Sequence, residues 1–144
     1  MLPGRVFGPG GFPVIAGGAP KTYFAGTFTA GQTKIDIVNN KLRIQQDGSI
    51  VKFVESVFKI VFSGGQAIKY GKETVYITER AIFRLTNRGL VLEEVAPGID
   101  IEGDITSKMG FQPIIGSVVR EMDTKLFQEG QVGMRDEIIQ IMKR

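Results

Sequence analysis

Residues Val75 to Asp100 read "VYITERAIFRLTNRGLVLEEVAPGID". "ETVYITERAIFRLT" and "GLVLEEVA" read as strands, the first dominated by the β-branched and aromatic residues that pack on a pleated, half-buried surface. Asn87-Arg88-Gly89 supplies turn chemistry between them, so the runs are expected side by side in a sheet. Glu79 interrupts the apolar run and reads as a turn or edge position between two strands rather than a catalytic carboxylate. Glu93 and Glu94 are consecutive on a strand, so they point to opposite faces and cannot work as a pair. Pro97-Gly98 closes the last strand.

Downstream, Asp100 can cap a helix whose first turn carries Glu102 and Asp104, both favourable at the positive end of the helix dipole. Gly110 is a plausible stop, and Gly103 inside it costs about 1 kcal/mol relative to alanine. A final helix is expected at "GMRDEIIQIMKR", where Met134, Ile138, Ile141 and Met142 fall on one face. Upstream, "KTYFAGTF" (Lys21 to Phe28) reads as a buried strand. "KIDIV" and "KLRIQQ" alternate apolar and polar side chains around Asn39-Asn40, which tolerates the positive φ of a tight turn. That is a hairpin with one wet face. "VKFVESVFKIVFSGG", rich in Val and Phe, reads as a further strand with a bulge or break near Glu55-Ser56. The reading is a sheet-rich, mixed α/β chain, with residues 1-144 as a single domain.

Composition narrows the chemistry. The 144 residues carry 42% hydrophobic and 23% charged side chains, a globular balance rather than a disordered one. There is no cysteine and no histidine, which removes disulfides, thiolate metal sites and every Ser-His or Cys-His arrangement. Catalysis is left to carboxylates, lysines, hydroxyls and backbone amides, and no metal site is expected. The net charge of +3 comes from interleaved signs without a basic block, which argues against nucleic acid and against a membrane surface. No run has membrane-spanning length and no signal-peptide pattern opens the chain, so a cytoplasmic location is expected.

The opening is different in kind. Gly and Pro fill ten of the first twenty positions, with "FGPGGFPVIAGGAP" spanning Phe7 to Pro20. A phosphate loop fails on spacing, because Gly10-Gly11 is followed by Phe12-Pro13 rather than Lys and Ser or Thr. A dinucleotide fingerprint fails as well, since Gly8 and Gly10 fit but the sixth position is Pro13. Two readings stay open: a flexible start, or glycines that let a ligand approach the backbone closely. From residue types alone, no side chain stands out as a nucleophile.

"GPGGF" (Gly8 to Phe12), "FAGTFTAG" (Phe24 to Gly31), the stretch from Val75 to Asp100 and "MDTKLF" (Met122 to Phe127) together resemble the C-terminal part of family I coenzyme A transferases, in the acetate/propionate CoA-transferase branch. The resemblance runs from about Gly8 to about Phe127, and the long ordered middle stretch makes it specific. It implies an open, largely parallel α/β sheet, here its strand-rich and hairpin-rich C-terminal portion with a few helices. It further implies transfer of CoA from an acyl-CoA to a carboxylic acid through a glutamyl-CoA thioester, with CoA as substrate and neither metal nor organic cofactor. Residues 1-20 would form a Gly/Pro-rich active-site segment in which Gly10 and Gly11 line the thioester and Gly8 allows the turn.

The family's nucleophilic glutamate lies upstream of the matched region, and none of the nine glutamates here occupies a matching motif. The resemblance therefore implies no catalytic residue in this chain, a partner portion that supplies the glutamate, assembly into an oligomer, and no transfer by the chain alone. The alternative is a non-catalytic binding or assembly module, or a docking subunit, that kept the scaffold without the chemistry.

Overall fold

Three strands and two corners form from Val75 to Asp100, as their residue types require. The computed structural model describes residues 10–128 and 134–143. Along the chain run α1 (Phe12–Gly18), β1 (Lys21–Ala25), β2 (Thr29–Ala30), β3 (Lys34–Val38), β4 (Lys41–Gln46) and β5 (Ile50–Val51). They are followed by α2 (Gly64–Lys69), β6 (Glu73–Ile77), β7 (Ala81–Thr86), β8 (Gly89–Val95), β9 (Ile114–Glu121) and α3 (Met134–Met142).

Five strands form an open sheet in the order β1-β6-β7-β8-β9. The outer pairs, β1 with β6 and β8 with β9, are parallel; the inner pairs are antiparallel. At the β6–β7 corner the Thr78 hydroxyl accepts the Ala81 N–H at 3.0 Å, and the Thr78 N–H donates to the Ala81 carbonyl at 2.9 Å. Glu79 sits in that corner, as its place in the sequence indicates.

One face of the sheet carries the core. Phe28, Ala81, Phe83, Leu92 and Ile105 are buried together, and Phe53, Tyr76 and Leu90 pack around them. The rings form a connected run, with Phe24 stacked on Tyr76 at 5.1 Å, Phe53 tilted against Phe28 at 5.1 Å and against Phe83 at 5.1 Å. Each fully buried large side chain contributes about 1.5–3 kcal/mol. The β3–β4 hairpin forms as read, with Asn39 and Asn40 at φ +53° and +60°. Its Leu42 packs with Ala96, Met122 and Phe127 in a second cluster.

The opposite face is held by charge. Arg84 Nη1 donates to Glu73 Oε1 at 2.9 Å and Arg84 Nε to Glu93 Oε1 at 2.7 Å. The Arg84 hydrogen bond, helped by Lys21 and the Tyr23 hydroxyl, holds the Glu73 carboxyl below the usual carboxylate range against the opposing effect of burial. A lowered folded-state value means stability present above the unfolded-state value and lost as pH falls through the folded one. Urea titrations from neutral pH to about pH 3 should therefore show Glu73→Gln less stable than the parent at neutral pH, with the gap closing in acid. A gap that stays constant with pH would mean that the Glu73 charge contributes nothing to stability.

Four features differ from the sequence reading. Within residues 51–65 only Val51 joins a strand; Val57, Phe58 and Ile60 stand exposed on irregular backbone. Val and Phe favour strands only where a neighbouring strand is there to pair, and β2 offers just two residues. The first strand stops at Ala25, where Gly26 breaks it. The helix after Asp100 is a π-helical turn, Ile101–Ile105, continued by a 3-10 turn, Thr106–Lys108. Asp100 does cap it, Oδ2 accepting the Gly103 N–H at 2.5 Å. Finally, Phe12–Gly18 of the Gly/Pro-rich opening is helical, with Pro13 in the first turn, where a missing N–H costs nothing.

Candidate functional site

Of the predicted site residues, Gly10 and Gly11 lie at one end of the sheet. Gly10 takes φ +57°, a left-handed conformation that favours glycine, and Gly11 precedes α1. Among the described residues nothing lies within 4 Å of where a Gly10 Cβ would stand, and at Gly11 the nearest atom is Ile15 Cδ1 at 3.7 Å. None of the described residues closes either position to an approaching molecule. Gly8 lies outside the described residues.

Helix α1 fixes where this turn points. Its Phe12 ring meets Phe24 of β1 at 5.9 Å, while at its other end Gly17 accepts a hydrogen bond from the Lys72 ammonium. Just beyond, the Pro20 carbonyl accepts the Glu73 N–H at the start of β6, at 3.0 Å. Helix α1 thus runs antiparallel to β1, and Gly10-Gly11 sits toward the carboxyl ends of the parallel pair β1 and β6. In open α/β sheets that end is where ligands bind.

A pocket of about 280 Å³ opens at the same end, lined by Phe24, Phe53, Tyr76, Gly26, Thr27 and Lys52 among others. Lys52 lies on irregular backbone after β5, and its ammonium donates to the Thr27 carbonyl and lies 3.5 Å from the Thr27 hydroxyl. Burial raises the Tyr76 phenol above its usual range, so it stays neutral at ordinary pH. Sequence reading missed Lys52 and the pocket because it placed Lys52 in a regular strand; the glycine of "FAGTF", which breaks β1 beside it, was the available signal.

The carboxylates are committed elsewhere. Glu79 Oε2 accepts the Phe28 N–H at 2.7 Å and Oε1 accepts Arg80 Nε at 2.8 Å. Glu93 pairs with Arg84 and Glu94 with Arg120, on opposite faces as expected. Among the described residues no group of acidic side chains is arranged to hold a metal ion. No helix among them is long and apolar enough to cross a membrane.

The chain shares 43% identity over 130 residues with the acetate CoA-transferase YdiF of Escherichia coli K12, which covers 90% of this chain and 24% of that protein. With the caffeate CoA-transferase of Acetobacterium woodii it shares 40% over 130 residues, covering 90% and 25%. The crystal structure of the YdiF acyl-CoA transferase of E. coli O157:H7, in a thioester complex with CoA, superposes with a TM-score of 0.87 at 42% identity. This chain matches a C-terminal part of a CoA-transferase. The superposition covers 92% of it and 26% of the YdiF chain, so it spans about a quarter of the length of these relatives. No family model matches it. The CoA-transferase fold expected from the sequence is the one observed, although this portion of the sheet is mixed rather than largely parallel.

Proposed function

We propose that this chain is the C-terminal part of an enzyme that moves CoA between an acyl-CoA and a short-chain carboxylic acid. The observation that carries the reading is the 0.87 TM-score at 42% identity over nine-tenths of the chain, against a CoA-transferase holding a CoA thioester. In the proposed reaction a glutamate carboxylate, supplied by polypeptide outside this chain, attacks the thioester carbonyl. The attack yields a mixed anhydride and releases CoA thiolate; the thiolate then attacks the glutamyl carbonyl, giving glutamyl-CoA and freeing the first acid. A second acid reverses both steps and leaves as its CoA ester.

Gly10 and Gly11 are the proposed wall beside that thioester, with Gly8 allowing the turn. Their open backbone supports this role, because a side chain there would stand between the amides and the oxyanion formed on attack. Exposed Val57, Phe58 and Ile60 support seating on further polypeptide, since apolar surface of this kind marks interaction sites. A cytoplasmic setting, assembly into an oligomer and a single domain over residues 1-144 belong to the same proposal.

The test is complementation. YdiF truncated by the quarter matched here, mixed with this chain, should recover acyl-CoA:acetate CoA transfer, and Gly11→Val should remove at least 90% of it. The chain alone should show no transfer and no saturable CoA binding by calorimetry, because most of the CoA-binding surface would lie elsewhere. Tight, saturable CoA binding by the chain alone would overturn that expectation, and a stable, monodisperse monomer with no CoA affinity that never complements would favour the non-catalytic module.

A further inference from the structure

The pocket at the carboxyl ends of β1 and β6 has a chemistry of its own. Its walls are three rings: Phe24 stacked on Tyr76 at 5.1 Å, and Phe53 edge-on to Tyr76 at 6.4 Å. Among the described residues lining it, Lys52 is the only charged one, and none is a carboxylate that could neutralise it. The Lys52 ammonium is tethered at the rim by the Thr27 carbonyl, with the Thr27 hydroxyl also near. An ammonium has three donors, and at most two are turned toward Thr27, which leaves one for an incoming acceptor.

Gly26 leaves room beside that ammonium. A Cβ there would stand 3.3 Å from Lys52 Nζ, tighter than ordinary contact. A volume of about 280 Å³ accommodates a small acid rather than a cofactor. Apolar rings beneath a single fixed cation select an amphipathic anion, with its tail among the rings and its carboxylate on the ammonium. A neutral apolar molecule would leave the ammonium unused, and a polyanion would meet one charge only.

We infer that this pocket binds the carboxylic acid substrate, with Lys52 holding the carboxylate and Phe24, Phe53 and Tyr76 holding the acyl tail. The inference rests on the CoA-transfer reading for the identity of the ligand as substrate; the pocket's preference for a carboxylate stands on its geometry. Lys52 then acts as a specificity residue, binding and orienting the acid beside the Gly10-Gly11 wall.

The experiment uses fluorine NMR on the full chain, with 4-fluorocinnamate as probe and 4-fluorocinnamyl alcohol as its neutral counterpart. The acid should broaden and shift on titration. The alcohol should bind at least tenfold more weakly, and Lys52→Met should weaken the acid at least tenfold while leaving the alcohol unchanged. Phe53→Leu should weaken both, showing that the rings hold the tail. Equal binding of acid and alcohol, no binding of either, or an unchanged acid affinity in Lys52→Met overturns the inference. The complemented enzyme separates this from the wider reading. If transfer is recovered but Lys52→Met leaves the KM for the acid unaltered, the pocket assignment fails alone. If complementation fails while the chain still selects acid over alcohol, the site stands and the transferase reading falls.

Discussion

Arg80→Met is expected to cost this chain about 3–5 kcal/mol of folding free energy, the range for removing one partner from a buried charge cluster. The Arg80 side chain is fully buried, in the middle of the junction between the sheet and its surrounding loops. Nε donates to Glu79 Oε1 at 2.8 Å and Nη1 to the Asp104 carbonyl at 3.1 Å. Nη2 lies 2.7 Å from Asp47 Oδ1, an ion pair without hydrogen-bond alignment. The guanidinium carbon also stands 4.8 Å from the centre of the Phe28 ring.

Methionine keeps much of the volume but leaves the Glu79 and Asp47 carboxylates with their main counter-ion gone. Lys108, at 3.7 Å from Asp47, compensates weakly because it is exposed. Urea denaturation of the variant measures the loss. Adding Glu79→Gln and Asp47→Asn should return much of it, because a cluster with no charge left has no uncompensated charge to bury. A triple variant as unstable as Arg80→Met would show that Arg80 acts through packing rather than charge.

That cluster marks where sequence reading stops. Strands β6, β7 and β8 were legible because they are short runs rich in Val, Ile, Leu and aromatic residues, bounded by turn residues at Asn87-Arg88-Gly89 and Pro97-Gly98. Glu79 was placed in its corner for the same local reason. The partners of Arg80 were not legible, since Asp47 and the Asp104 carbonyl come from segments brought together only by the folded chain. Residues 51–65 show the converse error, strand propensity with no strand beside it to pair. At the site, the glycines stood out by composition, whereas Lys52 has meaning only because a break at Gly26 brings Thr27 under its ammonium.

Gly48→Ala is expected to cost about 3 kcal/mol or more, at or above the upper end for forcing an atom into a packed site. Asp47-Gly48 has the look of a turn pair, but Gly48 is not among the residues with positive φ. The constraint is close approach: a Cβ would stand 2.2 Å from the Ala30 carbonyl oxygen and 2.9 Å from Thr33 Oγ1. Backbone offers no flexible end that could yield, so the segments on either side must separate. Their ties include the Gly48 N–H donated to Thr29 Oγ1 at 2.9 Å, the Ser49 N–H donated to the Gly31 carbonyl at 3.2 Å and the two-residue β2–β5 ladder, which is short enough to be lost. Asp47 is the neighbouring residue, so the same displacement draws its carboxylate away from Arg80. The two substitutions should therefore be non-additive: Gly48→Ala added to Arg80→Met should cost less than its effect in the parent by at least about 0.5 kcal/mol. Strict additivity in urea denaturation would show that Gly48 holds the β2–β5 junction alone, with no hold on the charge cluster.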